Sequence, residues 1–265
     1  LKAVRKHVQE KWVVLYIERW LKAPMQLEDG TRLERDRGTP QGGVVSPVLA
    51  NLFLHYAFDA WMGREYPGLP WCRYADDGLV HCRTLKEAEA VKAKLQERLA
   101  ACHLEMHPTK TRIVYCKDKL RKGNYPIKTF DFLGYTFRPR VLWDRKRKEV
   151  FDGFTPAVSK AALRSMRKKV RELDFRKQTQ MELRDIARRL NPILRGWIEY
   201  YGHYNPSALY PLYRYINQTL VAWAGRKYKR FRRHKTRAGK WAQSLPLKCP
   251  HLFEHWSRRT IGTFA

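Results

Sequence analysis

Apolar residues recur at every third or fourth position in several stretches of the chain. This spacing is typical of amphipathic helices, and it predicts helices over residues 2–22, 46–64, 84–102, 159–173, 181–190 and 210–223. Two of these predicted helices also have a recognisable start. Ser46-Pro47 offers a capping side chain followed by a proline in the first turn, and Thr84 with Glu87 forms a capping-box pattern.

Shorter stretches rich in aromatic and β-branched residues predict strands. Residues 71–74 and 79–82 flank the turn signal Asp77-Gly78 and predict a hairpin, whereas residues 111–116 predict a single strand. Residues 130–137 predict a further strand or hairpin arm. The front of the chain therefore mixes helices with strands, and the remainder is nearly all helical. We assign the chain to the α+β class.

Basic residues strongly outnumber acidic ones. The 265 residues include 54 Lys and Arg but only 25 Asp and Glu, a formal net charge of +29. Residues 1–153 hold 29 basic and 19 acidic side chains, and residues 154–265 hold 25 and 6, so the shorter back part is nearly twice as positive. Such an excess indicates a polyanionic partner, above all nucleic acid, because each phosphate contact releases counterions. A membrane surface is the weaker explanation, because no basic amphipathic helix stands apart as an anchor.

Cysteine and histidine spacing gives little support for a structural metal site. The five cysteines include no Cys-x-x-Cys pair, which fits a reducing compartment better than a disulfide scaffold or a zinc ribbon. His251 and His255 stand four positions apart, as helical metal ligands can, but the sequence offers no third ligand nearby. We interpret both as ordinary core or surface histidines. We expect a soluble protein of the bacterial cytoplasm or of an organelle.

Asp76 and Asp77 are adjacent carboxylates at the predicted hairpin turn of an otherwise basic chain. Two neighbouring carboxylates repel each other unless a cation lies between them. Mg²⁺ binds one or two carboxylates together with substrate phosphates, and a pair of such ions can activate a hydroxyl and stabilise a leaving pyrophosphate. An Asp-Asp-Gly turn is common, however, and by itself indicates no more than a surface turn.

The residues around this turn resemble those of group II intron reverse transcriptases. Tyr74-Ala75-Asp76-Asp77 has the form of that family's catalytic hairpin, and residues 37–51 (RGTPQGGVVSPVLAN) closely resemble its G-T-P-Q-G-x-x-x-S-P-x-L-A-N block. A plain helix start is the alternative for this second block. The resemblance implies that Asp76 and Asp77 are catalytic and bind metal. It also implies nucleotide- or template-binding roles for Tyr74, Ala75, Pro40, Gln41 and Gly42.

Three further segments are similar to the family and occur in the family's order. Residues 104–111 (LEMHPTKT) resemble its L-x-L-N-x-x-K-T segment, with His107 where asparagine is more common, and imply that Lys110 lies near the triphosphate. A surface lysine is the simpler alternative. Residues 190–201 (LNPILRGWIEYY) resemble the N-P-x-x-x-G-W-x-x-Y-Y signature of the maturase region. The F-L-G-[FY] turn that grips the primer strand is matched by Phe132, Leu133, Gly134 and Tyr135, although an apolar strand would look the same.

The basic tract of residues 226–237 is a candidate RNA surface. It holds eight basic residues in twelve, with aromatic residues between them and no acidic residue. Basic side chains bind phosphates while aromatic rings stack on unpaired bases, so the tract predicts RNA binding. A solvated basic helix would have the same composition. The candidate residues are Arg226, Lys227, Lys229, Arg230, Arg232, Arg233, Lys235 and Arg237.

The resemblance spans essentially the whole chain and implies both a fold and an activity. The fold would be a partial right-hand polymerase palm, an antiparallel sheet with helices, followed by an all-α thumb or maturase region. Residues 1–140 would form the palm fragment without fingers and first palm strand, residues 141–153 a linker, and residues 154–265 the thumb. The activity would be RNA-directed DNA synthesis on two Mg²⁺ ions, with group II intron RNA, an RNA template, a DNA primer and deoxynucleoside triphosphates as partners.

The third metal-binding carboxylate of the family has no convincing counterpart in this sequence. In the family it lies in a strand ahead of the helix that opens this chain, whereas Asp29, Asp36 and Asp59 stand in a turn region or on a helix face. We therefore expect this chain alone to polymerise weakly or not at all, and an N-terminal reverse transcriptase piece to complete the enzyme. The alternative is a non-catalytic, maturase-like RNA-binding fragment or a degenerate remnant.

Overall fold

The computed structural model describes residues 1–34, 38, 39, 42–121, 123–144, 146–257 and 264. The chain forms two compact units, Leu1–Ile113 and Val114–Ala265. The first unit combines helices with two small hairpins, and the second combines a three-stranded antiparallel sheet with a group of packed helices. This mixture confirms the predicted α+β class. The assignment of the two pieces to a polymerase palm and thumb stays a prediction.

Ten α-helices and seven strands lie within the described residues. The helices are α1 Lys2–Arg5, α2 Lys11–Lys22, α3 Ser46–Leu54, α4 Ala60–Glu65, α5 Leu85–Ala101, α6 Lys160–Glu172, α7 Leu183–Tyr201, α8 Tyr210–Lys227, α9 Lys235–Lys248 and α10 Glu254–Ser257. The strands are β1 Met25–Gln26, β2 Arg32–Leu33, β3 Trp71–Tyr74, β4 Asp77–Val80, β5 Phe130–Phe132, β6 Tyr135–Asp144 and β7 Glu149–Val158. Shorter turns are the π-helical His55–Asp59 between α3 and α4, and the 3₁₀ turns Pro206–Leu209 and Lys229–Phe231.

The helical segment from α3 to α4 and the β3–β4 hairpin form the centre of the first unit. Phe58, Trp61 and Met62 are buried there, and Met62 is fully inaccessible to solvent. The ring of Phe58 meets the ring of Trp71 edge-on, with 5.4 Å between their centroids. This packing places strand β3 directly against the π-helical turn, so the hairpin has a defined position relative to the helix.

Two elements in the first half of the chain differ from the sequence-based predictions. The helix predicted over residues 2–22 is interrupted between α1 and α2, where His7 Nε2 lies 2.7 Å from the Tyr56 hydroxyl and Lys6 Nζ lies 4.8 Å from the Tyr56 ring. These tertiary contacts outweigh the local helical propensity. The strand predicted over residues 111–116 is also wrong, because these residues lie outside any strand, although the Tyr115 N–H donates to the carbonyl of Ile127 at 2.9 Å.

The sheet of the second unit has the order β5-β6-β7 and is antiparallel throughout. Strands β6 and β7 pair from Tyr135 with Val158 to Asp144 with Glu149. We expected a linker over residues 141–153, but its described residues 141–144 and 149–153 instead pair within this hairpin. Aromatic and β-branched residues, including Trp143, favour strands, and the charged stretch that suggested a linker only closes the turn. The two compact units divide earlier, after Ile113.

The helices of the second unit enclose its apolar core. Helix α6 begins where predicted, because Ser159 Oγ accepts a hydrogen bond from the Ala162 N–H at 3.0 Å. Fully or almost fully buried apolar side chains come from α7, the 3₁₀ turn before α8, α8 itself and the C-terminal segment: Leu190, Leu194, Leu209, Leu212, Ile216, Trp223, Phe253 and Trp256. None of the described helices is long and apolar enough to cross a bilayer.

His255 belongs to this core. It is fully buried, and its Nε2 lies 2.8 Å from Asn217 Oδ1, while Trp256 Nε1 donates to the same oxygen at 3.1 Å. Burial lowers the pKa of His255 from its usual 6.5 to about 3. This environment holds a neutral imidazole, and it supports the interpretation of His255 as a core histidine and not a partner of His251 in a metal site.

Candidate active site and nucleic-acid surfaces

Asp76 and Asp77 lie at the tip of the β3–β4 hairpin. Ala75 and Asp76 are the two turn residues, and Asp77 is the first residue of strand β4. The turn therefore lies two residues before the Asp77-Gly78 signal from which it was predicted. Gly78 is instead a paired residue inside the ladder, where a Cβ would lie 3.6 Å from the ring of Phe58.

Ala75 has a left-handed backbone conformation, with φ of +51°. Residues other than glycine adopt this conformation at a cost, and they keep it where the surrounding structure determines it. Here the neighbouring side chain of Arg73 contributes, because its Nη1 donates a hydrogen bond to the Ala75 carbonyl at 2.7 Å. The main chain that leads into Asp76 is therefore anchored by a side chain.

Arg73 is itself held by two side chains of the helical segment. Its Nε and Nη2 donate to the two carboxylate oxygens of Asp59 at 2.7 and 2.6 Å, and its Nη1 also donates to Asn51 Oδ1 at 2.9 Å. The side chains of Arg73 and Asp59 are only 11% and 19% exposed. The hydrogen-bonded guanidinium lowers the pKa of Asp59, and the carboxylate raises the pKa of Arg73. Both carboxylate oxygens of Asp59 are thus hydrogen-bonded to Arg73.

The acidic side chains of the turn face solvent. Asp76 and Asp77 are exposed, and Tyr74 beside them is 64% exposed. Adjacent carboxylates in such a position have the donor chemistry of a Mg²⁺ site that shares its ion with substrate oxygens. Within the described ranges, no three His, Cys, Asp or Glu side chains are grouped so that they could hold a metal by themselves. The roles of Asp76, Asp77, Tyr74 and Ala75 stay predictions.

The Gly-rich loop ahead of α3 is described only in part. Pro40 and Gln41 lie outside the described residues. Gly42 has a φ of +83°, and no atom of the described residues would lie within 4 Å of a Cβ at this position. Such an open glycine permits a ligand to approach the main chain closely. The predicted contacts of this loop with nucleotide and template remain predictions.

Lys110 is exposed and lies in a turn after α5. Its N–H donates to His107 Nδ1 at 3.4 Å, and Thr109 Oγ1 lies at the same distance from that nitrogen. An asparagine side chain commonly accepts such a local hydrogen bond in a turn. The His107 ring therefore accepts a local hydrogen bond within this turn. The triphosphate contact of Lys110 stays a prediction.

The predicted primer-grip turn, residues 132–135, is fixed to the end of α7. Leu133 and Gly134 are left-handed, with φ of +50° and +79°. The Tyr200 hydroxyl donates to the Leu133 carbonyl at 3.0 Å, and the Tyr135 hydroxyl donates to the Tyr200 carbonyl. A Cβ at Gly134 would overlap the Tyr201 hydroxyl. Two consecutive tyrosines of α7 therefore determine both the conformation of this turn and the space around it.

The other end of the residue 190–201 motif binds the C-terminal segment. Asn191 Nδ2 donates to the Leu252 carbonyl at 2.9 Å, and Asn191 Oδ1 accepts from the Glu254 N–H at 3.2 Å. Arg195 Nε also donates to the Glu254 carboxylate, at 3.0 Å. The motif thus connects the FLGY turn, at the C-terminal end of α7, with the chain around α10, which contacts the middle of the same helix.

The basic tract, residues 226–237, presents most of its charge to solvent. Lys227 is the exception, since its side chain is 14% exposed and its Nζ lies 2.6 Å from Glu182 Oε1 and 2.7 Å from the Met181 carbonyl. We expected the aromatic residues between the basic ones to stack on bases. This is wrong for Phe231, which is only 7% exposed and packs against Tyr228 and Trp241. The exposed members are Arg226, Lys229, Arg230, Arg232, Arg233, Lys235 and Arg237.

Comparison with known families covers both parts of the chain. The sequence profile of the reverse transcriptase (RNA-dependent DNA polymerase) family matches residues 2–137, just over half of the chain. The chain belongs to the reverse transcriptase family. The profile of the group II intron maturase-specific domain matches residues 163–241. This reverse transcriptase is therefore of the group II intron-encoded type, as the motifs predicted.

A curated relative of this reverse transcriptase is Protein YkfC of Escherichia coli (strain K12). The two sequences are 24% identical over 151 residues, which cover 44% of this chain and 39% of YkfC. The chain thus aligns with about two fifths of the length of that relative. The family is established by the profiles, whereas the activity and partners of a complete protein are matters for proposal.

The sequence did not identify Arg73 and Asp59 as residues of the site. One signal was available for Arg73. Positions 71 and 73 are the two less exposed positions of β3, so that Arg73 lies on the same face of the strand as Trp71. A charged residue on the covered face of a strand requires a partner. Asp59 could not be chosen as that partner without the packing of the helix on the hairpin.

Proposed function

We propose that this reverse transcriptase chain takes part in copying RNA into DNA, with Asp76 and Asp77 binding the divalent cations of nucleotidyl transfer. The observation that supports the proposal is the position of the two carboxylates, exposed together at the tip of a hairpin inside the region that the reverse transcriptase profile matches. Bound Mg²⁺ would supply charge stabilisation for the 3′-hydroxyl and the leaving pyrophosphate. The sequence motifs assign Asp76 and Asp77 to two of the three metal-binding carboxylates of the family.

The remaining site residues would position the substrates. Tyr74, Ala75 and Gly42, with Pro40 and Gln41, would contact the incoming nucleotide and the template, and Lys110 would contact the triphosphate. Residues 132–135 would grip the primer strand. Their left-handed turn is supported by α7, which would keep the primer end in a fixed position.

We further propose that the second unit binds group II intron RNA. Seven exposed basic side chains of the basic tract lie within the region of the maturase-specific match or at its end. They carry no compensating acid in the tract, and phosphate contacts of this kind dominate affinity for RNA. Binding would support splicing and mobility of the intron, in a bacterial cytoplasm or in an organelle.

Primer extension tests the polymerase proposal. The chain is incubated with an RNA template, a DNA primer, deoxynucleoside triphosphates and Mg²⁺, with and without an N-terminal reverse transcriptase segment that supplies the third carboxylate in the same polypeptide or in another. We expect weak or no extension by the chain alone and extension when the segment is present. Asp76→Asn should abolish that extension while RNA binding persists; equal extension by the variant would refute the proposal.

The second candidate function is RNA binding without catalysis. The large positive charge and the helical core around the maturase-specific match favour it, since neither depends on the acidic turn. It predicts salt-sensitive binding to structured intron RNA that is unchanged by Asp76→Asn and Asp77→Asn. Loss of binding in these variants, with the fold intact by circular dichroism, would count against it.

A further inference from the structure

We propose that Arg73 is a positioning residue for the acidic turn, and that Asp59 and Asn51 hold its guanidinium under the Ala75 carbonyl. Four hydrogen bonds from one guanidinium carry this inference: two to Asp59, one to Asn51 and one to Ala75. The inference deepens the proposed function, because it assigns the side chain that orients the predicted metal ligands.

The contact with Ala75 acts on the peptide group next to Asp76. The Ala75 carbonyl and the Asp76 N–H belong to one planar unit, so a hydrogen bond to that carbonyl fixes the direction in which the chain enters Asp76. Ala75 also has the left-handed conformation that an alanine does not favour. A donor at 2.7 Å in a largely buried side chain is the kind of restraint that maintains such a turn.

Asp59 determines where the arginine charge resides. Bidentate hydrogen bonds between guanidinium and carboxylate are strong and directional, and they occupy the Nε and Nη2 edge of Arg73. Without Asp59, the arginine would be free to pair with Asp76 or Asp77, which follow it by three and four residues. It would then compete with a divalent cation for their oxygens.

The π-helical turn brings Asp59 to this place. Asp59 is the last residue of the segment His55–Asp59, and His55 Nδ1 lies 3.5 Å from Asp59 Oδ2. A π-turn accommodates one more residue than an α-turn, so it rotates the residues that follow relative to a regular helix. Such turns are rare and recur at functional sites. Here the turn aligns Asp59 with Arg73 while Phe58 packs on β3.

Nuclear magnetic resonance on the full chain labelled with ¹⁵N-aspartate tests the positioning directly. We expect Arg73→Gln to lower the amide order parameter of Asp76 from about 0.85 to below about 0.6, with Asp131 and Asp152 unchanged. Arg73→Lys keeps a positive charge near Asp59 but cannot make all four hydrogen bonds, so it should give an intermediate value. An Asp76 order parameter that stays at the wild-type value in both variants would overturn the proposal.

A second experiment measures metal affinity with Mn²⁺ alone, by electron paramagnetic resonance of the free ion. We expect Arg73→Gln to weaken the Asp76-dependent binding of Mn²⁺ by about 10- to 100-fold, as the loss of outer-shell partners does elsewhere. Asp59→Asn should weaken it as well, and the double variant should lose no more than the worse single variant, because both act through one contact. Strictly independent, multiplying losses would overturn the shared mechanism.

A matched control separates positioning from stability. Val91 is buried in α5 and makes none of the four hydrogen bonds, so Val91→Ala should lower the melting temperature and leave Mn²⁺ affinity and the Asp76 order parameter unchanged. If Arg73→Gln fails to fold, Arg73→Lys decides by the same two readouts. If wild-type Mn²⁺ binding does not depend on Asp76, the proposed metal site fails, while a lowered order parameter would still support positioning by Arg73.

Discussion

The hydroxyl of Tyr200 donates a hydrogen bond to the Leu133 carbonyl over 3.0 Å, although 67 residues separate them in the chain. The contact joins the end of α7 to the FLGY turn, and thus joins the maturase-specific match to the end of the reverse transcriptase match. The predicted primer-grip turn is therefore built partly by residues of the maturase signature. A change in that helix should be transmitted to the turn.

Tyr200→Phe tests this connection. The variant keeps the ring and removes only the hydroxyl, so we expect a loss of about 1 kcal/mol or less in the free energy of unfolding, because water can reach the exposed Leu133 carbonyl. The melting temperature should fall by about 2–4 °C at most. Affinity for a primer–template duplex should fall in parallel, measured by fluorescence anisotropy at fixed salt, because the turn is no longer held.

Tyr204→Phe is the matched control. Tyr204 belongs to the same aromatic cluster around Tyr135, and its hydroxyl donates no hydrogen bond to any side chain or carbonyl in the described part of the chain. It should leave both stability and duplex affinity near wild type. Equal losses in the two variants would show that the cluster as a whole, and not the Tyr200 hydrogen bond, supports the turn.

Local sequence signals predicted several of the elements, and long-range contacts determined the sites. Thr84 with Glu87 starts a helix, as the sequence predicts, because both capping partners are neighbours in the chain. The Arg73 contact with Asp59 and the Tyr200 contact with Leu133 are different, since no spacing rule selects either partner. The sequence could supply Asp76 and Asp77 as candidates, but not the residues that hold their turn.

Two of the incorrect predictions have a common physical origin. The linker expected over residues 141–153 was inferred from a charged stretch that merely closes the β6–β7 turn. Base stacking by Phe231 was inferred from its alternation with basic residues. In the structure the chain turns there through a 3₁₀ segment, so that Phe231 faces the core while Arg230 and Arg232 stay exposed. The composition correctly showed that both segments are rich in basic residues. The direction in which each side chain points depends on the fold, which the composition does not give.

Two glycines at the end of α7 should respond oppositely to alanine. Gly196 lies inside the helix, and a Cβ there would meet no atom within 4 Å, so Gly196→Ala should raise the free energy of unfolding by about 0.5–1 kcal/mol through the lower backbone entropy of the unfolded chain. A Cβ at Gly202 would collide with the Ile198 carbonyl, so Gly202→Ala should destabilise by about 1–3 kcal/mol. Urea denaturation of both variants checks the signs.

The same pair of variants also reports on ligand approach. If RNA binding by Gly196→Ala is unchanged while its stability rises, the glycine is not needed for contact. A stabilised protein that binds intron RNA less tightly would show that the bare backbone of α7 meets the RNA. Stabilisation by Gly202→Ala would contradict the packing described for the helix end.

Lys227 and Arg232 should separate structure from RNA binding within the basic tract. The Lys227 ammonium group donates hydrogen bonds to Glu182 and to the Met181 carbonyl, so Lys227→Gln should lower the free energy of unfolding by about 1–2 kcal/mol. Arg232 is exposed, so Arg232→Gln should leave the melting temperature unchanged. It should weaken RNA binding and reduce the slope of log affinity against log salt by about 1. Identical effects of the two variants on the salt slope would contradict this division.

The buried His255 should make stability depend on pH. The unfolded chain protonates this histidine near pH 6.5, whereas the folded chain keeps it neutral down to about pH 3. Between these values unfolding takes up a proton, so the free energy of unfolding falls as the pH falls, by about 1.4 kcal/mol per pH unit from this residue. Carboxylates add their own contribution below pH 5, so the measurement is a comparison of urea denaturation at pH 7, 6 and 5. In His255→Gln, which keeps an amide near Asn217, the free energy of unfolding should depend on pH less steeply by that amount. His251 is exposed, so in the control His251→Gln the pH dependence should equal that of the wild type. A wild-type imidazole resonance of His255 that titrates near 6.5 in the folded chain would refute the prediction directly, even if the His255 variant does not fold.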